Sequence, residues 1–213
     1  MPVFLNATDP DFETAFQALL SAKREDSPDV DATVAGIIAD VRQRGDAALI
    51  ELTAKFDRLT LTPDRLRISE AEIKDALAAV PAEELEALKT AADRIRAYHL
   101  RQRPEDAEWT DETGATLGWR WSAVSAAGLY VPGGLASYPS SVLMNAVPAK
   151  VAGVPRLAMV VPAPDGVLNP LVLAAANLAG VDEVYRVGGA QAIAALAYGT
   201  ETIAPVDKIT GPG

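Results

Sequence analysis

The sequence predicts an α/β protein in which a helical N-terminal region precedes a domain built on a parallel β-sheet. Residues 9–99 repeat apolar side chains at helical spacing, whereas residues 126–210 alternate short apolar runs with helix-forming segments. Near-continuous apolar strands separated by helices are typical of parallel strands that are covered on both faces. We therefore expect the second half of the chain to hold a sheet with helices on both sides.

Composition narrows the class of protein. The 213 residues are 49% hydrophobic and 23% charged, which is typical of a globular chain with a hydrophobic core. A net charge of -10 disfavours a nucleic-acid partner, because phosphate binding depends on an excess of lysine and arginine. The N-terminus has no signal-peptide pattern, and no apolar run is long enough to span a bilayer.

Cysteine and histidine counts exclude two kinds of chemistry within these residues. The sequence contains no cysteine and one histidine, His99, which is too few for an ordinary zinc site. A thiolate nucleophile is excluded as well. His99 continues the apolar stripe of the last N-terminal helix, so we interpret it as a half-buried, hydrogen-bonded residue at a helix end and not as a catalytic group.

The N-terminal helices carry boundary signals. Ser69 and Glu72 have the spacing of a capping box, Asp46 is placed to cap a helix after Gly45, and Pro81 begins a longer helix. These residues predict helix ends and packing, not chemistry.

A different pattern follows residue 104. Residues 116–123 alternate apolar and polar side chains, which predicts a half-buried strand, and Asp111–Gly114 predicts a hairpin turn before it. We interpret Trp119 and Trp121 as core residues of that strand.

The strands of the second half end in loops that share one edge. Because ligands of parallel sheets bind at the carboxyl ends of the strands, these loops are the expected binding edge. The predicted loops are Tyr130–Gly134, Pro162–Gly166, Gly188–Gln191 and Thr210–Gly213. A strand that passes through Gly188 and Gly189 into a helix leaves backbone N–H groups free for an anion or a dinucleotide. Taken alone, such a glycine pair is more often a tight turn.

Ser140 and Ser141 are candidates for an anion site or for a simple N-cap.

Several long segments resemble the histidinol dehydrogenase family. They are GLYVPGG (residues 128–134), YPSSVLMNAVPAKVAGV (138–154), RVGGAQAIAALAYGTETI (186–203), VDKITGPG (206–213) and, upstream, IADVRQRGDAALIELTAKFD (38–57). They cover nearly the whole chain in order, which makes them far more specific than a single glycine pattern. The resemblance implies a Rossmann-like, aldehyde-dehydrogenase-like architecture. Residues 1–125 would form the helical region with part of a first α/β domain, and residues 126–213 an incomplete NAD-binding domain.

The same resemblance implies a function and a site. The family consists of cytoplasmic homodimers that oxidise L-histidinol through L-histidinaldehyde to L-histidine with two NAD⁺. A zinc ion holds the substrate, and a Glu–His pair supplies acid–base chemistry. Tyr130 and Gln191 match NAD contacts of the family. We expect the zinc ligands and catalytic residues to lie beyond Gly213, so the resemblance assigns no catalytic or metal-binding residue here.

Two alternatives stay open at this point. The chain could belong to a relative that oxidises another alcohol, such as a sulfonated diol, or it could be a non-enzymatic half-module that binds a nucleotide. Because the sequence stops in the loop after a strand, we expect it to be part of a longer protein. Because it lacks metal ligands and an acid–base histidine, we expect these 213 residues alone to be inactive as an enzyme.

Overall fold

The computed structural model describes residues 4–22, 28–133 and 138–212. Gly134 and Gly213, which the sequence places on the binding edge, lie outside these ranges. The chain divides into two compact units, residues 1–36 and residues 37–213. The first unit contains helix α1 (Phe12–Ala22) and the beginning of α2 (Pro28–Arg44). The domain boundary expected near residue 125 stays a prediction.

The N-terminal helices of the second unit follow the predicted pattern, with one correction. Their bounds are α3 Asp46–Asp57, α4 Pro63–Leu66, α5 Glu70–Ala79 and α6 Ala82–Leu100. Ser69 and Glu72 form the predicted capping box at the start of α5. Asp46 does not cap α3: Gly45 is the N-cap at φ 55°, and Asp46 is the first helical residue. Glycine tolerates this backbone angle because it has no Cβ.

A two-stranded antiparallel hairpin follows, with β1 at Ala107–Thr110 and β2 at Thr116–Trp119. The predicted turn is confirmed, since the Asp111 carboxylate accepts hydrogen bonds from the backbone of Thr113 and of Ala115. The core assignment of Trp119 and Trp121 is wrong, because their side chains are 54% and 60% exposed. The alternation identified an apolar face, but within the described residues nothing buries it.

The predicted parallel sheet is present and has four strands among the described residues. They are β3 Ala126–Tyr130, β4 Arg156–Val160, β5 Glu183–Tyr185 and β6 Lys208–Thr210. Helices connect them in sequence: α7 Pro139–Ala152, α8 Pro170–Leu178 and α9 Gly189–Tyr198. All pairings are parallel, and the spatial order is β5-β4-β3-β6.

This strand order contains a topological switch point. From β3 the chain moves outward to β4 and β5, and then returns through α9 to place β6 on the other side of β3. The order corresponds to the first four strands of a Rossmann-type sheet. The carboxyl ends of β3 and β6 therefore flank the crevice where ligands of such sheets bind.

Both faces of the sheet are buried, as expected for parallel strands. Alternate residues of β4 point to opposite sides: Leu157 and Met159 join a core with α5 to α8, whereas Ala158 and Val160 join a core with α3 and α9. All four side chains are fully buried. The helices on both faces hold the strand ends in fixed positions at the carboxyl edge.

Candidate functional site

A pocket of about 320 Å³ lies at the switch point. Its lining comes from the ends of β3 and β6 and from the start of α9, and consists of Tyr130, Gly189, Ile193, Ile209, Thr210, Gly211 and Pro212. None of these side chains is charged, so the pocket combines apolar walls with hydroxyl and backbone polar groups. Ligand sites are commonly built in this way, from apolar surfaces with a few polar groups that fix orientation. We refer to it as the switch-point pocket.

Tyr130 links two walls of the pocket. It is the last residue of β3, and its phenol oxygen accepts a hydrogen bond of 3.2 Å from the backbone N–H of Gly189, the first residue of α9. A phenol oxygen that accepts this bond still has its own proton to donate. Tyr130 therefore offers a hydrogen-bond donor and an aromatic face within the pocket.

Gln191 is close to the same glycine but does not line the pocket. Its side chain is only 2% exposed, and a Cβ placed on Gly189 would lie 2.7 Å from Gln191 Oε1. Gly189 also has φ 66°, a backbone angle that favours glycine. The structure thus brings Tyr130 and Gln191 to one residue, Gly189, although only Tyr130 borders the open volume.

No hydrogen bond joins the amide of Gln191 to another described residue. The amide can both donate and accept, so it can pair with a ligand group that reaches it.

The neighbouring loop shapes the edge through Pro162, which follows β4. A Cβ on Gly133 would lie 2.4 Å from Pro162 Cγ, and a Cβ on Gly188 would lie 2.4 Å from Pro162 Cβ. The proline ring therefore fits between two glycine turns at the ends of β3 and β5. Larger residues at either glycine would separate these turns.

The end of α3 anchors the same loop. Asp57 Oδ2 accepts a hydrogen bond from the backbone N–H of Ala163, and Arg58 forms two hydrogen bonds, of 2.7 and 2.6 Å, to the carboxylate of Asp165. The hydrogen-bonded guanidinium of Arg58 lowers the pKa of Asp165 from its ordinary value. Arg58 and Asp165 both have positive φ angles, near 55°. These contacts fix the loop that carries Pro162.

Other candidates from the sequence lie away from this pocket. Ser140 and Ser141 are in the first turn of α7, whose N-cap is Tyr138, so neither serine is the N-cap. His99 is half-buried near the end of α6, where its ring packs edge-on against Tyr98 at 5.2 Å. The predicted hydrogen bond of the His99 side chain is not found among the described residues.

A larger pocket, of about 850 Å³, includes His99. Its lining includes the end of α7 and residues 121–123, which lead into the amino ends of β4 and β3. It therefore lies at the opposite end of the sheet from the switch-point pocket. Ligands of such sheets bind at the carboxyl ends, so position favours the smaller pocket despite its size.

Side chains that could bind a metal ion are dispersed in the described residues. Among residues 4–22, 28–133 and 138–212, no group of three or more His, Cys, Asp or Glu side chains could hold one. A zinc ion therefore does not fit the residues that the structure describes.

Within the same ranges, no helix is both long and apolar enough to cross a membrane.

Two residues of the pocket wall were not predicted from the sequence. Ile193 and Ile209 supply its apolar sides, and neither was expected to contribute. Ile193 lies four residues after Gly189, which places both on one face of α9. It is also the only isoleucine in α9, whose most frequent residue is alanine. A large apolar side chain one turn after the glycine pair was the sequence feature that could have predicted this part of the wall.

The fold and pocket together define an α/β protein with a Rossmann-type parallel sheet and its candidate site at the switch point. Comparison with known proteins gives the family. A family model described as histidinol dehydrogenase matches residues 20–213. The chain belongs to the histidinol dehydrogenase family.

Individual relatives agree with this assignment. The chain is 77% identical over all 213 residues to a histidinol dehydrogenase of Ruegeria pomeroyi, and 72% identical to one of Cereibacter sphaeroides. In each comparison it covers 49% of the relative. It also resembles the crystal structure of histidinol dehydrogenase from Elizabethkingia anophelis, with a TM-score of 0.83 and 37% identity, over 86% of this chain and 42% of that one. The chain thus spans about half the length of the curated relatives it matches.

Proposed function

We propose that this chain is the NAD-binding, N-terminal half of a histidinol dehydrogenase, which oxidises L-histidinol through L-histidinaldehyde to L-histidine with two NAD⁺. The observation that carries the proposal is the position of the switch-point pocket, between the ends of β3 and β6 in a chain of this family. When bound, one NAD⁺ would accept a hydride from the alcohol, and a second NAD⁺ would accept one from the hydrated aldehyde. The role of the described residues is to bind and orient it.

In this proposal, Tyr130 and Gln191 contact NAD from two sides of Gly189. Tyr130 can place its ring against a flat group and donate its hydroxyl proton. Gln191 can donate or accept through an amide that has no other partner among the described residues. The absence of a side chain at Gly189 lets the ligand approach the backbone at the start of α9.

The proposal places zinc and the acid–base residues outside the part of the enzyme that this chain covers. The described residues offer no metal-binding group, and the relatives are about twice as long. The 213-residue polypeptide alone is accordingly expected to form no NADH from histidinol. We also propose that the intact enzyme is a cytoplasmic homodimer, as the family resemblance implies.

The site assignment is tested by substituting Gln191 in the intact enzyme. Gln191→Ala should raise the KM for NAD⁺ about tenfold, which corresponds to about 1.4 kcal/mol, and should change the KM for histidinol much less. Tyr130→Phe should act in the same direction because it removes the hydroxyl. Tyr198→Phe is a matched control, since Tyr198 lies at the other end of α9, half-exposed against Arg42.

Two results would contradict the proposal in different ways. An unchanged NAD⁺ dependence in both site variants would refute the assignment of Tyr130 and Gln191 while leaving the reaction intact. Turnover of another alcohol, with none of histidinol, would refute the substrate.

A further inference from the structure

The far wall of the switch-point pocket is held by a side-chain hydrogen bond from outside the pocket. Thr210, the last residue of β6, lines the pocket, and its Oγ1 donates a hydrogen bond of 2.9 Å to Oδ1 of Asn145. Asn145 lies in the middle of α7, 65 residues earlier in the chain. Neither Asn145 nor this contact enters the assignment of Tyr130 and Gln191.

The orientation of the Asn145 amide is fixed by a second bond. Its Nδ2 donates to the backbone carbonyl of Ser141 at 2.7 Å, one helical turn earlier. Rotating the amide by half a turn would place Oδ1 against that carbonyl oxygen, and two acceptors repel each other. Oδ1 must therefore face Thr210. Asn145 is an acceptor set in place by its own helix.

Strand β6 needs such a contact because it is short. Only three residue pairs join it to β3, from Ala127 with Lys208 to Leu129 with Thr210. In the described part of the sheet it is an edge strand, so it has one paired side. The hydrogen bond to Asn145 acts at the end of this ladder, immediately before Gly211 and Pro212 enter the pocket wall.

The segment after Thr210 lies close to Tyr130. A Cβ on Gly211 would be 2.8 Å from the Tyr130 carbonyl oxygen and 3.0 Å from Tyr130 Cβ. A small displacement of the end of β6 would therefore change the width of the pocket between Gly211 and the Tyr130 ring. The position of Thr210 controls that width.

We propose that Asn145 and Thr210 are a positioning pair that sets the β6 wall of the switch-point pocket at the spacing a dinucleotide requires. Neither residue is assigned a step in the chemistry. The dinucleotide part of this inference rests on the proposed function, whereas the positioning of the wall does not depend on any ligand.

The test uses Thr210→Val, which keeps the shape of the side chain and removes the hydroxyl, and Thr210→Ser, which keeps the hydroxyl. In the intact protein, Thr210→Val should raise the Kd for NAD⁺ about five- to tenfold, whereas Thr210→Ser should stay within about twofold of wild type. Asn145→Ala should match Thr210→Val. The double variant with Asn145→Ala and Thr210→Val should bind NAD⁺ no more weakly than either single variant, since both substitutions remove the same contact.

A matched control separates positioning from general stability. Thr202 donates its hydroxyl proton to Asp46, and neither residue lines the switch-point pocket. Thr202→Val should lower the Tm without changing the Kd for NAD⁺. If Thr210→Val behaved in the same way, with a lower Tm and an unchanged Kd, Thr210 would be merely structural and the inference would be overturned.

Hydrogen exchange provides a readout that needs no ligand. The backbone amides of residues 208–212 should exchange faster in Thr210→Val and Asn145→Ala than in wild type, and at the wild-type rate in Thr210→Ser. If wild type bound no NAD⁺, the proposed function would fail, but this exchange pattern would still support the positioning of the wall. Unchanged exchange in both variants would overturn the positioning pair even if NAD⁺ binds.

Discussion

Gly188→Ala is expected to destabilise the protein, because the added methyl group would collide with Pro162. The new Cβ would lie 2.4 Å from Pro162 Cβ and 2.9 Å from its Cγ, whereas carbon atoms in contact prefer about 3.5–4.0 Å. The backbone at Gly188, φ -129° and ψ -173°, suits alanine, so the whole effect is steric. Overpacking of this kind costs about 1–3 kcal/mol. For a chain of this size, about 2 kcal/mol corresponds to a fall in Tm of about 4–8 °C.

The assay is thermal unfolding followed by circular dichroism, with Gly36→Ala as the control. Gly36 lies within helix α2, and a Cβ there meets no atom of the described residues within 4 Å, so alanine should stabilise that helix by about 0.5–1 kcal/mol. A Tm for Gly188→Ala equal to or above wild type would refute the steric argument.

Double variants that combine each glycine change with Pro162→Ala test whether the contacts with Pro162 cause the loss of stability. The shortest contact of a Cβ at Gly133 is with Pro162 Cγ, which Pro162→Ala removes, and one of 2.8 Å to the Pro162 carbonyl oxygen stays. The shortest contact at Gly188 is with Pro162 Cβ, which Pro162→Ala keeps. Pro162→Ala should therefore rescue Gly133→Ala more than Gly188→Ala. Equal rescue of both would show that the glycine turns move as one body and that these contacts do not decide the cost.

Three further predictions concern polar contacts. Burial raises the pKa of Glu72, but hydrogen bonds from Ser69 and from the Arg186 guanidinium outweigh it and leave the pKa at about 2. Because the folded pKa is depressed, the stabilisation is present above about pH 4 and is lost as the pH falls toward 2, which acid unfolding monitored by fluorescence should show. Glu72→Gln should cost about 1–2 kcal/mol at pH 7 by urea unfolding, between the values for exposed and buried pairs, because the Arg186 side chain is only 7% exposed whereas that of Glu72 is 37% exposed. The carboxylate of Glu201 accepts the backbone N–H of Asp46, which lowers its pKa, so Glu201→Gln should lower the Tm at neutral pH and have less effect below about pH 4.

The fold could be predicted from the sequence to the extent that local chemistry decides it. The apolar strands with helices between them identified the parallel sheet, and Ser69 with Glu72 identified a helix start, because both signals lie within a few residues. Strand ends were predicted less well, since the strand expected over residues 116–123 ends at Trp119. The strand order could not be predicted from these signals, since the return of the chain through α9 is decided by packing between distant segments.

The candidate site was predictable in its location but not in its construction. Tyr130 was placed at the end of a strand and Gln191 at the start of a helix, and both lie near Gly189. The hydrogen bond between Thr210 and Asn145 joins residues from a strand and a helix that no local pattern relates. Glycine positions could be read as turns, but their contacts with Pro162 depend on how three loops meet.

The hairpin shows why alternation predicts a face and not its partner. Trp109, Leu117 and Trp119 lie on one face, because directly paired residues of antiparallel strands share a side, and Trp109 and Trp119 pack edge-on at 5.2 Å. The sequence pattern identified that face correctly for β2. These side chains are nevertheless 44–54% exposed, and a two-stranded hairpin is marginally stable in water without a surface to pack against. Period-two alternation indicates only that one side of a strand is apolar. A few neighbouring residues cannot show which surface covers that side. The surface could belong to the same sheet, to a distant segment or to another chain.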